Sequence, residues 1–234
     1  MSYLNFNLLE FILLMTRKKK CILPQFPHDY IGEKAEEYNQ LEWMERNQKK
    51  TTLQCVEYLF DPKLGEYKIK NFSHFLILDL GCGTGFSTEV LIDIGYNVVG
   101  IDILMDMLEK AVHKTHNLSE STIFDLLLAS IIQPPLRPSM FHHIISVSAY
   151  NFITYGKTEI SEVQQTLNST AKYLNRLLKK EGRIVIEFYP NNDKELNLFV
   201  SSFTRNKFDG FFIKNNPQQK AGKTFLLLKK TDEI

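Results

Sequence analysis

The segment of this 234-residue chain best suited to chemistry is Asp79-Leu80-Gly81-Cys82-Gly83-Thr84-Gly85. Alternate glycines let a backbone turn sharply and approach a ligand closely. The spacing departs from the dinucleotide pattern Gly-x-Gly-x-x-Gly, which would need glycine where Phe86 stands. Asp102 follows 23 residues after Asp79 and closes the next apolar run. A carboxylate at that place can accept both hydroxyls of a ribose. Taken alone, Asp102 equally suits a helix N-cap before Met105, and Asp79 suits a surface acid at a strand end. Together with the loop, both point to a bound ligand. Cys82 has no second thiol nearby in sequence, which favours packing over redox chemistry. His142 and His143 are neighbours at a strand start, where alternation sends side chains to opposite faces. With His28 they suggest neither a base nor a metal site, and no metal is expected.

These residues need elements that hold them. Phe75 to Leu78 reads as a buried strand entering the loop, and Ser87 to Ile94 as the helix leaving it. Asn97 to Ile101 is a second strand ending at Asp102. The pattern continues with a helix over Asp106 to Lys114, an apolar run over Ile123 to Ser130 and a strand over Ile144 to Val147. A long helix over Glu159 to Lys180 is expected to stop at Gly182. Arg183 to Phe188 is a strand cut by Pro190, and a helix runs from Asp193 to about Arg205. Strands around 211–213 and 225–228 finish the chain as an antiparallel edge pair. Strands alternating with helices predict an α/β fold: a seven-stranded, mostly parallel sheet covered on both faces. Residues 28–70 read as a helical lead-in to a domain spanning 28–234, and residues 1–27 as an N-terminal extension.

With 28 basic and 27 acidic residues, the balance argues against bulk coating of nucleic acid. Local basic groups remain, at Arg17 to Lys20, Lys49-Lys50, Lys179-Lys180 and Lys229-Lys230. Cys21, Cys55 and Cys82 are widely spaced and odd in number, which excludes a disulfide framework and fits a reducing, cytoplasmic compartment. The apolar run 3–15 is too short to span a bilayer, and its charges follow it rather than precede it. It is either a short surface helix or a stretch ahead of a start at Met15. No membrane association is expected.

The loop spacing Asp-x-Gly-x-Gly-x-Gly resembles that of class I methyltransferases, whose ligand presents an amino-acid end instead of a pyrophosphate. Four segments resemble, more narrowly, the family that methylates N7 of a guanine in small-subunit (18S) ribosomal RNA. They are Ala35-Glu36-Glu37-Tyr38 with Gln48 and Thr52; Ile77 to Ser87; Ile145 to Phe152; and Glu187-Phe188-Tyr189-Pro190-Asn191-Asn192-Asp193. The chain departs from that family in having Ala129 at the place of an adenine-contacting aspartate, with Ser130 next. It also has Asn151 and Phe152 in place of glutamine and tryptophan, and His142 in place of aspartate.

The resemblance implies the class I methyltransferase (Rossmann-like) fold and S-adenosyl-L-methionine as cofactor. Asp79, Gly81, Cys82, Gly83, Gly85, Asp102, Ile103, Ser130 and Ser148 are expected to bind it. Guanine N7 has a free lone pair and loses no proton on alkylation, so the task is alignment rather than base catalysis. Stacking is assigned to Tyr189 or Phe152 and edge recognition to Asn151 and Asn192; the alternative for Tyr189-Pro190 is a rigid turn packing the sheet edge. The implied partners are ribosomal RNA or a small-subunit precursor, and a small zinc-ribbon activator protein adding a strand along Ile123 to Ile132. Cover of that edge by the lead-in or the Pro134-Pro135 loop is the alternative. A small-molecule methyltransferase and a non-catalytic methyltransferase-like module remain open beside the RNA enzyme.

Overall fold

The apolar runs become strands because their β-branched and leucine side chains can be buried on both faces of a sheet. A computed structural model describes residues 25–67, 75–115, 123–215 and 223–231. The apolar run 3–15, the basic run from Arg17 to Lys20 and Cys21 lie outside the described residues.

The strands are β1 (Leu76–Leu80), β2 (Asn97–Asp102), β3 (Phe124–Leu128), β4 (Phe141–Val147), β5 (Leu178–Phe188), β6 (Phe208–Lys214) and β7 (Thr224–Lys230). They form one sheet in the order β3-β2-β1-β4-β5-β7-β6. All pairs are parallel except those of β7, which runs antiparallel to β5 and β6. This is the strand order of the class I methyltransferase fold. The helices are α1 (Glu33–Asn39), α2 (Glu42–Leu59), α3 (Phe86–Asp93), α4 (Met105–Thr115), α5 (Ile160–Leu177) and α6 (Asp193–Thr204).

Alternation along β5 divides the core. Ile184, Ile186 and Phe188 join α5 and α6 on one face, through Leu174, Phe199 and Phe203. Val185 joins the opposite face with Ile77, Val98 and the α2 residues Cys55 and Leu59. The lead-in therefore covers the face toward which Arg183, Val185 and Glu187 point. Buried Arg183 anchors it there: Nη1 donates to Leu59 O at the end of α2 (2.7 Å) and Nη2 to Gly65 O (2.7 Å). A cation at a helix C-terminus satisfies a carbonyl that has no partner within the helix.

Two expectations are corrected. The helix expected to reach Lys180 ends at Leu177, and β5 begins at Leu178, before Gly182. Leu178 takes extended dihedrals, pairs with Phe141 and receives Lys230 Nζ on its carbonyl at 2.9 Å. Tertiary pairing thus overrides helical periodicity in the last turn. The histidines also do not part company. A register shift between Phe141 and His143 breaks the alternation, and both rings lie against Phe75, at 4.8 and 5.2 Å between centroids.

β3 is an edge strand, as the strand order requires. Ile123 O accepts from Val98 N and Ala129 N donates to Asp102 O, so the odd-numbered residues of β3 turn their main-chain groups toward β2. Those of Phe124, Leu126 and Leu128 face outward. The Pro134-Pro135 loop covers a face of the strand, with Ile131, Ile132 and Leu136 packed on the core beside Leu127. Leu128 is 53% exposed and Ile123 66%. No helix among the described residues is long and apolar enough to cross a membrane.

Candidate cofactor and substrate site

Asp79 is fully buried at the end of β1, contrary to a surface role. Its Oδ2 accepts from Ser87 Oγ (2.6 Å) and Thr88 Oγ1 (2.7 Å) in the first turn of α3. Its Oδ1 has no partner among the described residues. Burial pushes this carboxyl up to about 6, and the two hydroxyls pull it partly back. The loop that follows folds onto β2: Gly81 N and Cys82 N both donate to Ile101 O, at 2.8 and 3.0 Å. Gly81 has φ +71° and Gly85 φ +85°, a region that disfavours side chains. A Cβ on Gly81 would stand 2.3 Å from Ala149 Cβ, and one on Gly85 3.0 Å from Ala111 Cβ. The loop is therefore pressed against the start of the β4 loop on one side and α4 on the other. Cys82 is buried with its Sγ on Gly100, where a Cβ would come within 3.0 Å. Burial raises its thiol pKa well above the ordinary range, which keeps it an unreactive packing group.

Asp102 stands at the end of β2 and knits the loop to the next helix. Oδ2 accepts from Gly83 N (3.0 Å) and Oδ1 from Leu104 N (2.9 Å). It holds the turn into α4 without being its N-cap, since Leu104 directly precedes Met105. Each oxygen keeps a second lone pair for a hydroxyl. Ile103 beside it is 56% exposed. Ala129 N donates to Asp102 O (2.8 Å), and Ser130 Oγ accepts from Ile132 N (3.2 Å). The turn after β3, Ser130 included, is thereby held at the end of β2.

The lead-in roofs this arrangement. Gly32 N donates to Asp106 Oδ2 (2.6 Å), and Lys110 pairs with Glu36 (2.5 Å). Tyr38 is buried between α1 and the loop, with its hydroxyl accepting from Gln48 Nε2 (2.6 Å). Thr52 Oγ1 donates to Gln48 O (2.8 Å), so the first resembling segment forms one hydrogen-bonded unit. Burial first, and the charges of Asp102 and Glu187 in lesser part, hold the Tyr38 phenol well above its ordinary range.

The segments after β4 and β5 meet on the other side of the loop. Ser148 has φ +57°, rare for a residue with a side chain. From that strained position it donates both N–H and Oγ–H to Glu187 Oε2, each at 2.8 Å. Glu187 is fully buried, its carboxyl is raised by that burial, and Oε1 has no partner among the described residues. Tyr189 is 39% exposed, with its phenol close enough to Glu187 and Ser148 for both to bear on its acidity, which burial and the Glu187 charge depress. Asn151 clasps the Tyr189 backbone: Oδ1 accepts from Tyr189 N (3.0 Å) and Nδ2 donates to Tyr189 O (2.9 Å). Asn192 caps α6, its Oδ1 accepting from Glu195 N (2.9 Å). Phe152 stacks on Phe26, just ahead of the lead-in, with centroids 4.4 Å apart and rings 19° from parallel.

The structure gathers Asp79, Gly81, Cys82, Gly83, Gly85 and Asp102 around the glycine loop and brings Ser148 and Tyr189 to Glu187. The polar atoms of Asn151 hold the Tyr189 backbone, and Asn192 Oδ1 caps the start of α6. Two residues were missed. Glu187 is the lone charge in Ile184-Val185-Ile186-Glu187-Phe188, and a lone charge in a buried strand is the signal that could have exposed it. Lys114 lies 3.5 Å over the Phe86 ring, donates to Asn39 Oδ1 and is pushed by burial down to about 8. As a lysine near a helix end it carries no distinguishing signal.

Residues 78–186 match the family of methyltransferase domains. The chain is 31% identical over 153 residues to an 18S rRNA (guanine-N(7))-methyltransferase of Schizosaccharomyces pombe, covering 65% of this chain and 55% of that protein. It is 33% identical over 152 residues to the Bos taurus 18S rRNA (guanine-N(7))-methyltransferase, covering 64% and 52%. The chain spans about half the length of the curated relatives it matches. Among solved structures, the magnesium protoporphyrin IX methyltransferase of Synechocystis with bound SAH superposes with a TM-score of 0.62 at 15% identity, covering 87% of this chain and 97% of that one. A chain assigned as a methyltransferase, in complex with the Haloferax volcanii Trm112 methyltransferase activator, gives 0.56 at 11% identity, covering 85% and 98%. The chain has the class I methyltransferase fold and resembles the 18S rRNA (guanine-N(7))-methyltransferases.

Proposed function

We propose that this protein binds S-adenosyl-L-methionine and methylates N7 of a guanine in small-subunit ribosomal RNA. The sequence likeness to the 18S rRNA (guanine-N(7))-methyltransferases carries this reading. The residues present fit the cofactor. Asp79 offers an open, buried carboxylate oxygen suited to an ammonium, and Asp102 keeps lone pairs for a ribose. Gly81 lets the loop close onto Ala149 at the end of β4, where any side chain would clash, so its backbone groups can approach a ligand. When bound, the cofactor supplies a methyl group on a sulfonium, an electrophile that needs only an aligned lone pair.

The chain's own residues then have three tasks. Asp79, Gly81, Cys82, Gly83 and Gly85 hold the amino-acid end, while Asp102, Ile103 and Ser130 hold the nucleoside. Ser148 lies between cofactor and base. Tyr189, fixed by Asn151, and Phe152 present ring faces for the base, with Asn192 ordering the helix that follows. Guanine N7 carries no proton, so no residue here acts as a base, and the rate derives from orientation and exclusion of water. We further assign a small zinc-ribbon activator to the β3 edge, a domain spanning residues 28–234 and a cytoplasmic location. The deciding experiment incubates the protein, alone and with such an activator, with labelled cofactor and small-subunit RNA, then maps the product. Label at guanine N7 is expected. Label confined to small metabolites would replace this reading with a small-molecule enzyme, and absence of cofactor binding would leave a non-catalytic module.

A further inference from the structure

Among the described residues, two buried carboxylate oxygens on the same face of the sheet, Asp79 Oδ1 on β1 and Glu187 Oε1 on β5, have no hydrogen bond of normal geometry, the second with only the Tyr189 phenol near it. The cofactor reading uses the first and leaves the second. β4 lies between the two strands, so the carboxylates are two strand spacings apart across the sheet, about 10 Å, with Glu187 two residues farther along. Glu187 pairs with Val147, at the level where β1 passes into the glycine loop. A ligand lodged between them would have its reacting atom toward the loop and its far edge toward Glu187.

The chemistry of that far edge follows from the carboxylate's fixed state. Ser148 N–H and Oγ–H fill Oε2 and hold the group in one orientation. Oε1 therefore presents two lone pairs and no hydrogen. Guanine alone among the common bases has two adjacent donors, N1–H and the exocyclic amino group, on the edge remote from N7. Adenine would set the N1 lone pair against Oε1, and cytosine its N3 lone pair, leaving both partners unsatisfied. Resting on the guanine-methylating reading above, we propose that Glu187 selects guanine by accepting from N1–H and the exocyclic amino group at Oε1, the base displacing the Tyr189 phenol that covers it. Ser148 is the positioning residue, and its strained backbone is explained by the need to donate twice to one oxygen.

The test separates base choice from turnover. The full chain, saturated with S-adenosylhomocysteine, is titrated with a short RNA bearing one unpaired guanine, and with the same RNA bearing inosine, which lacks the exocyclic amino group. Wild-type protein should bind the guanine form roughly ten-fold or more tightly. Glu187→Gln should lose guanine binding more than Glu187→Ala does. Ser148 will hold the amide oxygen, so the NH2 group will point at the base donors. Both variants should lose the preference over inosine while keeping S-adenosylhomocysteine affinity and a cooperative melt. Equal binding of the two RNAs by wild type, failure of either to bind, or a guanine preference surviving in Glu187→Gln overturns the proposal. Should wild type instead prefer guanine yet place label on no ribosomal guanine N7, the substrate assignment falls and the base-selecting role of Glu187 stands.

Discussion

His143 shows how burial turns a titratable residue into a structural one. It is enclosed by Phe60, Tyr67 and Phe75, accepts a long bond from Arg183 N (3.3 Å), and is pushed by burial from 6.5 down to about 3. A depressed folded-state value means that its stabilising contribution is full above about 6.5 and lost as pH falls toward 3. Chemical denaturation at pH 7 and pH 5 should show wild type losing about 2 kcal/mol more than His143→Gln over that interval. Asp79 works in the other direction. Its value of about 6 lies above the ordinary 3.8, so it favours the fold below pH 4 and loses that contribution as pH rises through 6. Cofactor binding needs the ionised form, so affinity should fall as pH drops below about 6, and Asp79→Asn should flatten that dependence in calorimetry. Asp102→Ala should weaken the cofactor by about 1.5–3 kcal/mol. It should also lower the melting temperature, since Gly83 N and Leu104 N lose their acceptor. The places of both acids were legible in the sequence because each closes a short apolar run, Asp79 before the glycine loop and Asp102 before the next helix. The backbone hold of Asn151 on Tyr189 was not, because tertiary contacts place it, whereas the capping place of Asn192 follows from the helix start at Asp193.

Elements were legible where a single period dominates. All seven strands and the helices between them follow from alternation of short apolar runs with helical spacing. The failures sit where the backbone serves a neighbour: the last turn of α5 yields to pairing with β4, and where the β4–β5 register shifts between Phe141 and His143 the His142 ring lies on Phe75. The same distinction governs the β3 edge. Leu127 packs inward on the core, so Leu127→Lys would test folding rather than partner binding. Leu128→Pro removes an outward-facing N–H from an exposed position and leaves the ladder to β2 intact. Co-expression with a zinc-ribbon activator followed by pull-down should recover wild type and lose this variant, with the isolated chain melting unchanged. Recovery of Leu128→Pro at wild-type yield would place the activator elsewhere.

Across the whole molecule, β5 bears on the lead-in at two heights. At the amino end of the strand Arg183 grips the last turn of α2, and at the carboxyl end the Glu187 charge acts on Tyr38 of α1. The first contact is a pair of charge-assisted bonds in a buried setting. The second rests on a small apolar cluster, in which Ala35 and Tyr38 join Phe86 and Met107, and on the exposed Lys110–Glu36 pair and the Gly32 N to Asp106 bond, which are individually weak. A roof fastened firmly along one side and lightly along the other behaves as a door with its hinge at Arg183. Amide hydrogens of α1 should then exchange with solvent much faster than those in the last turns of α2, and S-adenosylhomocysteine should slow the former with little effect on the latter. Arg183→Met, which cuts the hinge and spares the latch, should make the two halves exchange alike. The chain would then admit its ligands by lifting α1 off the glycine loop, and the way in for the cofactor would also be the way in for the base.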